Sequence, residues 1–315
     1  MELNSTQTPP PGCRVFIGPD KEEQFSEAVL KSGCEIVNHM SEAEALIWFG
    51  RDPAALVDAI TSNIRWLQIP DAGAEKWLHS PIVSNRDLVV TCASGIYGHQ
   101  VAEHALALIL ACYRGLATYS RAISWNPRAA SVRSLVGAKV VILGAGGIGG
   151  SLVEMLVPLK CVVTVVTRSG RHIPSASRSV LFSQFEEEIR DADVLVLAAP
   201  ETKETRHIIN SRTLGMMKPS AVIVNVARGT LIDNEALLEA VNDERILGAG
   251  LDVTDPEPLP DGHPFIGHPR ILLTPHVANP PAMKKTAFAK RIEENCRRFK
   301  SGKELLGVID FERGY

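Results

Sequence analysis

The sequence predicts an α/β protein built from two doubly wound parallel-sheet domains. Three features carry that expectation. Short apolar runs alternate with helix-patterned stretches along most of the chain, the pattern of a parallel sheet covered by helices. Six such runs fall between residues 139 and 274, the number expected of one doubly wound sheet. KVVIL at Lys139–Leu143 passes through LGAGGIGG into SLVEML and then CVVTVVT at 161–167, a complete β-α-β unit. With 315 residues, the chain can hold two domains, each with its own core.

Taken in order, CRVFIG at 13–18 reads as a strand, FSEAVLKSG at 25–33 as a helix closed by Gly33, and CEIVNH at 34–39 as a second strand. ALIWFG at 45–50 repeats the unit, followed by DPAALVDAITS with Asp52 as cap and Pro53 at the first helical position. RWLQIP at 65–70 and LVVTCA at 88–93 continue it. This part has no glycine triplet and is not expected to hold a dinucleotide. PDAG at 70–73 directly follows a strand, where open parallel sheets present loops to ligands. On its own it reads as a surface turn.

Residues 98–113 form one long helix. Val101, Ala105, Leu108 and Cys112 mark a stripe that Ala102, Leu106 and Ile109 widen, so burial on more than one side is expected, as in a crossing between domains or a subunit contact. His104 lies in this apolar setting and reads as a packed, hydrogen-bonded histidine. Residues 119–134, with Trp125, Pro127 and three arginines, show no period and form an irregular excursion.

In the glycine stretch, Gly144, Gly146 and Gly149 make a G-x-G-x-x-G. The first permits a tight strand-to-helix turn, the second lets backbone approach a pyrophosphate, and the third lets helix and strand pack closely. The helix start would aim unpaired N–H groups at the phosphates, and Pro158 closes the helix about three turns later. VLVLAAP (194–200), AVIVNVA (221–227), GAGLDV (248–253) and ILLT (271–274) supply the remaining strands. Among the intervening helices is NEALLEAVND, capped by Asp233, with Leu237, Leu238 and Val241 on one face. The last four strands end in turns, which places Pro200, Arg228, Asp252 and His276 near one edge. PAMKKTAFAKRIEENCRRFKSG at 281–302 forms a final helix with Phe288, Ile292, Cys296 and Phe299 inward, and its basic face is a solvated one. GVIDFERGY returns to the first domain.

Composition narrows the function. Hydrophobic residues make up 45% and charged residues 22%, ordinary for a globular enzyme, and the formal net charge of −3 gives no general reason to expect nucleic acid or an acidic membrane. The six cysteines have no C-x-x-C spacing, so neither a metal site nor a disulfide scaffold is expected. MELNSTQTPPPG has neither the basic start nor the apolar core of a secretory signal and reads as a loose tail. VAEHALALILACY is interrupted by Glu103 and His104 and is too short to span a membrane. A cytoplasmic protein is expected.

Three polar residues beyond successive strands could perform redox chemistry together. Arg228 offers a planar guanidinium that grips a carboxylate through two hydrogen bonds. His276 can pass a proton, and a carboxylate such as Glu257 on its far nitrogen fixes the tautomer. Singly, each also suits a structural part, as a surface ion pair, a proline-rich loop or a histidine on a carbonyl. Together, beyond the strands of one dinucleotide sheet, they form a site.

With these motifs in order, the sequence resembles the D-isomer-specific 2-hydroxyacid dehydrogenase family. GAGGIG at 144–149, VNVARG at 224–229, LDVTDPEPLP at 251–260 and TPH at 274–276 match its four motifs, and VAEHAL at 101–106 and the terminal GY also look like family features. The likeness covers residues 65–315 well and the earlier part only by its rhythm. It implies a Rossmann dinucleotide-binding domain at 96–282 inserted in a flavodoxin-like split substrate domain, 1–95 with 283–315, and an active cleft between them. It assigns catalysis to Arg228, Glu257 and His276. Cofactor contacts would come from Gly144, Gly146, Gly147, Ile148 and Gly149, from Arg168, Ser169 and Arg171, from Ala199, Pro200 and Thr205, and from Val226, Ala227 and Asp252. Asp71, Ala72 and Gly73 of PDAG would help Arg228 and His276 hold the substrate. A homodimer using the region 98–134 is implied.

Two departures qualify the resemblance. The acid that NAD-using members carry after the second strand is absent, and VVTRSGR places Arg168, Ser169 and Arg171 there, which suits the 2′-phosphate of NADPH over NADH. Asp71 would repel an anionic substrate unless turned away. The reaction implied is hydride transfer from the reduced nicotinamide to a small 2-oxo acid such as glyoxylate or hydroxypyruvate, with the proton from His276. A phosphoglycerate dehydrogenase is a second reading, though no appended regulatory domain is expected. A nucleotide-sensing corepressor or scaffold of the same fold is a third.

Overall fold

The computed structural model describes residues 13–50, 53–57, 60, 62–72, 77, 80–84, 88–126 and 130–311. The tail before Cys13, the cap at Asp52, Gly73 of PDAG, Pro127 and the terminal GY lie outside them. The chain divides into two compact units, Met1–Tyr97 with Pro281–Tyr315, and Gly98–Pro280.

The first unit opens with β1 (Arg14–Gly18), α1 (Glu23–Lys31), β2 (Glu35–Ile36), β3 (Ala45–Trp48), α2 (Ala54–Val57), β4 (Trp66–Gln68) and β5 (Val89–Thr91). All pairings are parallel, and the order β2-β1-β3-β4-β5 is the flavodoxin one. Period-two alternation covers both faces. Ala45 and Ile47 face one apolar cluster with Phe25 and Val29 of α1, while Leu46 and Trp48 face another with Leu56 and Trp77.

The second unit begins with α3 (Gly98–Tyr113) and the single turn α4 (Leu116–Tyr119). Then come β6 (Lys139–Leu143), α5 (Gly147–Leu156), β7 (Val162–Thr167), β8 (Arg178–Leu181), α6 (Phe185–Arg190) and β9 (Val194–Leu197). It ends with α7 (Ser211–Leu214), β10 (Val222–Asn225), α8 (Asn234–Asn242), β11 (Gly248–Leu251) and β12 (Ile271–Leu273). The sheet is parallel in the order β12-β11-β10-β9-β6-β7-β8 and has seven strands, not six. The strand unseen in the sequence is β8, RSVL, at the sheet edge, where only Val180 of its four residues is buried. So short a polar edge leaves no apolar run to detect. Valines 140, 163, 165, 194, 196, 222 and 224 pack under α3 and α5, while Val141, Leu195, Ile223 and Leu251 pack under α6 and α8. α3 is therefore apolar around much of its circumference because it lies on this sheet beside α5, and its burial needs no second subunit. Asp233 caps α8 as expected, accepting from the N–H groups of Glu235 and Ala236.

α9 (Pro281–Lys300) rejoins the first unit. Phe288 meets Phe25 edge-on at 5.3 Å, and Ile292 and Cys296 complete the buried stripe. The fully buried Asn295 donates to Gln68 Oε1 (2.8 Å) and accepts from Leu306 N–H (2.8 Å), tying helix, sheet and tail together. Val308 bridges Thr91 antiparallel, so the tail returns to this sheet.

Candidate active site

The register of the second sheet builds the site. One row of partners runs Val180, Val166, Leu143, Leu197, Asn225, Leu251, Leu273 across all seven strands. The next residue of β7, β6, β9, β10, β11 and β12 is then Thr167, Gly144, Ala198, Val226, Asp252 and Thr274, a second row at the carboxyl edge where such sheets bind ligands. Gly144, Val226 and Asp252 are cofactor contacts expected from the sequence, and Thr167 and Ala198 directly precede two others, Arg168 and Ala199.

At the middle of the edge, glycines open the backbone. Gly144 has φ +102°, and a Cβ there would meet Ala198 O at 2.6 Å. A Cβ on Gly149 would come 2.1 Å from Gly144 O, so α5 sits closer to β6 than any side chain allows. Gly146, by contrast, faces open space, and the ten-residue helix α5 starts beside it with no side-chain cap. Gly146 and Gly147 are exposed and Ile148 packs partly into the core. Beyond β7, Arg168, Ser169 and Arg171 are exposed, and Arg171 Nη2 donates to Ala145 O at 2.9 Å, which brings its guanidinium back to the glycine loop. Thr167 Oγ1 is buried with no hydrogen-bond partner. This cradle fits a dinucleotide: glycine-opened backbone and a helix start for the pyrophosphate, then an orphan hydroxyl and basic groups for the ribose end.

Past β9, Ala199 and Pro200 enter a turn that Thr205 holds together. Its hydroxyl donates to Pro200 O at 2.8 Å and accepts from Thr202 N–H at 2.8 Å. Past β10, the fully buried Asn225 shapes the next turn, accepting from Ala227 N–H (3.1 Å) and donating to Arg228 O (2.8 Å). Val226 and Ala227 are buried, whereas Arg228 is exposed, its Nη1 on Ala227 O at 2.8 Å. A Cβ on Gly229 would fall 1.9 Å from the carbonyl carbon of Thr254, so the arginine turn lies against the loop leading to Glu257.

Past β11 and β12, Asp252 governs the geometry. Its Oδ1 accepts from Thr274 Oγ1 (2.6 Å), Val277 N–H (2.9 Å) and His104 Nε2 (3.3 Å), and its Oδ2 from Ala278 N–H (3.0 Å). His276 N–H donates to the Asp252 carbonyl at 2.8 Å. Burial pushes the carboxyl pKa up, but the bonds from His104, Thr274, Val277 and Ala278 outweigh it and hold Asp252 below the usual carboxylate range. Thus the loop is pinned on either side of His276, at Thr274 and at Val277 and Ala278, while His276 takes φ +51°, a left-handed conformation that costs a β-carbon residue on the order of 1–2 kcal/mol. The exposed ring is then met by Glu257: Nδ1 and Oε1 are 2.6 Å apart. His276 and Glu257 are brought together as the sequence reading expected.

In the first unit, Asp71 accepts from Trp77 Nε1 at 3.1 Å, and its carbonyl accepts from Ala93 N–H at 2.7 Å. The carboxylate is bonded to the indole, and Ala72 is exposed. Tyr97, on Pro70 O at 2.8 Å, has its pKa pushed up by burial and next by the Asp71 charge.

Sequence reasoning missed Asn225 as the former of the arginine turn and His104 as a partner of Asp252. The first had a signal, a polar residue ending an otherwise apolar strand. The second had none, because its partners lie far along the chain. Among the described residues, no cluster of three or more His, Cys, Asp or Glu could hold a metal ion, and no helix is long and apolar enough to cross a membrane.

Comparisons with known proteins agree with this geometry. The sequence model for the NAD binding domain of D-isomer specific 2-hydroxyacid dehydrogenases matches residues 106–278. An uncharacterized protein in the proB 3′ region of Corynebacterium melassecola is 35% identical over 301 residues, covering 94% of this chain and 98% of its own. A glyoxylate reductase of Pyrococcus furiosus is 30% identical over 229 residues, 70% of this chain and 68% of its own. A crystal structure of a D-isomer specific 2-hydroxyacid dehydrogenase of Xanthobacter autotrophicus, in complex with NADPH and MES, superposes with TM-score 0.80 at 25% identity, covering 96% of this chain and 99% of the other.

Proposed function

This chain belongs to the D-isomer specific 2-hydroxyacid dehydrogenase family and is an NAD(P)-dependent oxidoreductase, and we propose that it reduces a small 2-oxo acid, glyoxylate or hydroxypyruvate, with NADPH. The observation that carries the reading is the 2.6 Å contact of His276 Nδ1 with Glu257 Oε1, on a loop anchored at the same sheet edge as the glycine cradle. The glyoxylate reductase among the relatives supports the substrate class.

The nicotinamide, when bound, supplies the hydride. Arg228 would bind the substrate carboxylate through paired N–H donors. His276, its Nδ1 held by Glu257, would present Nε2 to the oxo oxygen and give up a proton as negative charge gathers there. Glu257 offsets the positive charge of the ring in its proton-donating form. Positioned proton transfer of this kind contributes ~10²–10⁴ in rate. Ala199, Pro200, Val226, Ala227 and Asp252 are the proposed walls of the nicotinamide site, and Thr205 shapes the first of them. Asp71, Ala72 and Gly73 stay candidates for anion binding in the first unit, since the Trp77 bond engages the carboxylate that would oppose an anion.

For the cofactor, the choice of NADPH rests on Arg168, Ser169 and Arg171, exposed where an acid would bind the ribose of NAD, with Arg171 already drawn to Ala145 O. The NADPH in the crystal structure from Xanthobacter autotrophicus supports it. The proposal extends to a cytoplasmic homodimer. Ile123 and Trp125 are 103% and 98% exposed, large apolar groups that a second copy would cover. All six cysteines are free, which suits a reducing compartment.

A panel of 2-oxo acids scored by loss of reduced-cofactor absorbance tests the reading. Glyoxylate or hydroxypyruvate should lead, His276→Ala should lower kcat on every active substrate, and Arg228→Ala should mainly weaken oxo-acid capture. Absence of turnover across the panel with both cofactors would refute it.

A further inference from the structure

We propose that His104, on α3, is a positioning residue for His276 that acts through Asp252. The inference rests on the reading of His276 as the proton donor. His104 ends in a polar pair, not in the apolar cluster that takes up the buried face of α3: its Nε2 is 3.0 Å from Thr274 Oγ1 and 3.3 Å from Asp252 Oδ1. The chain of donors fixes its tautomer. Thr274 Oγ1 gives its proton to Asp252 at 2.6 Å and so can only accept from the ring, which requires a hydrogen on Nε2. That hydrogen is then shared between the hydroxyl and the carboxylate.

The contact matters because of what else Asp252 holds. Thr274, Val277 and Ala278 are all loop residues around His276, and all bond to this one carboxylate. Among the described residues, His104 is the one donor to it from outside that loop, and it comes from a helix packed along the sheet. It therefore fixes the carboxylate relative to the body of the unit, where the loop alone could let the carboxylate and His276 swing together. The left-handed backbone of His276 makes the loop dependent on such an anchor. A packing-only part for His104 would place the ring among carbons. Instead the side chain stays 21% exposed and aims its nitrogen at a carboxylate that is 1% exposed.

The test compares His104→Leu, which fills the space without a donor, with His104→Gln, whose amide N–H₂ reaches about as far as Nε2. Each is measured for oxo-acid turnover, for NADPH binding by fluorescence and for amide hydrogen exchange of the peptide around Val277 and Ala278. The Leu variant should lose about tenfold in kcat, equivalent to ~1.4 kcal/mol, with KM and NADPH Kd within about twofold of the wild type. Its exchange at Val277 and Ala278 should quicken about tenfold while peptides elsewhere are unchanged. The Gln variant should return to within about threefold of the wild type in both readouts. Wild-type kcat and exchange in the Leu variant would overturn the proposal. So would equal loss in Leu and Gln, which would mean that His104 acts by its own proton chemistry, or a rise in KM at constant kcat. If the wild type reduces no 2-oxo acid, the functional reading fails separately, and the exchange measurement still decides whether His104 holds the loop.

Discussion

Replacing Asp252 by Asn should destabilise the second unit in a way that depends on pH with a definite sign. The carboxylate accepts on both oxygens, Oδ1 from Thr274, Val277 and His104 and Oδ2 from Ala278 N–H. An Asn side chain is nearly the same shape but has one acceptor. If its oxygen faces Thr274 and Val277, its amide hydrogens face the Ala278 N–H, a buried donor left without a partner. Such a loss costs about 1–3 kcal/mol, and for a domain of this size the melting temperature should fall by about 2–12 °C. Because the folded-state pKa of Asp252 is depressed, its contribution is fully present above the ordinary carboxylate range, near pH 4, and is lost as pH falls through the depressed value. The gap between wild type and Asp252→Asn should therefore be constant from neutral pH to about 5 and close on further acidification. Thermal melts by circular dichroism over a pH series read it directly. Equal stability at pH 7, or a gap that widens in acid, would refute the reasoning.

Three more predictions follow from the same geometry. Gly149→Ala places a Cβ 2.1 Å from Gly144 O, so α5 must lift from β6. NADPH Kd, read by fluorescence titration, should rise at least about tenfold, and unchanged affinity would refute the cradle. Arg168→Ala should reduce kcat/KM with NADPH by about tenfold and leave NADH nearly unaffected; a wild type that already prefers NADH would sink the cofactor reading. Trp125→Arg puts a charge on the most exposed aromatic of the excursion, and light scattering should report a monomer where the wild type gives twice the chain mass, whereas a monomeric wild type removes the dimer from the proposal.

Much of the fold was legible in the sequence because buried parallel strands must be apolar on both faces. The runs at β6, β7, β9 and β10 therefore announce themselves, and their ends fix the edge on which Arg228, Asp252 and His276 fall. β8 was invisible for the opposite reason: an edge strand with one buried residue carries no apolar pattern. The apolar breadth of α3 was visible, but its cause was not. Periodicity reports how much of a helix is covered, and only the packing shows that α5 and the sheet of its own unit cover it. What periodicity could not show as unsatisfied are Ile123 and Trp125, apolar side chains standing clear of any cluster.

The site divides along the same line. Residues proposed to touch a ligand sit in turns just past buried strands, where glycine, arginine and histidine are conspicuous against an apolar background. Residues that hold those turns in shape need not be conspicuous, because their partners are chosen by topology. Asn225 serves the turn it begins and could be suspected locally. His104 and Asp252 meet only because β11 lies beside β12 while α3 crosses the same sheet, and no local pattern encodes that meeting. Yet this contact gives His276 its fixed place: a residue held at φ +51° needs its neighbours anchored, and Asp252 anchors both Val277 and Ala278. The 2.6 Å approach of Glu257 to the imidazole then orients a ring whose backbone is already set. The order of dependence runs from His104 to Asp252, to the loop, to His276, and Glu257 acts last. Loss of Glu257 should accordingly cost the ring its orientation but leave the loop in place, while loss of Asp252 should disturb both.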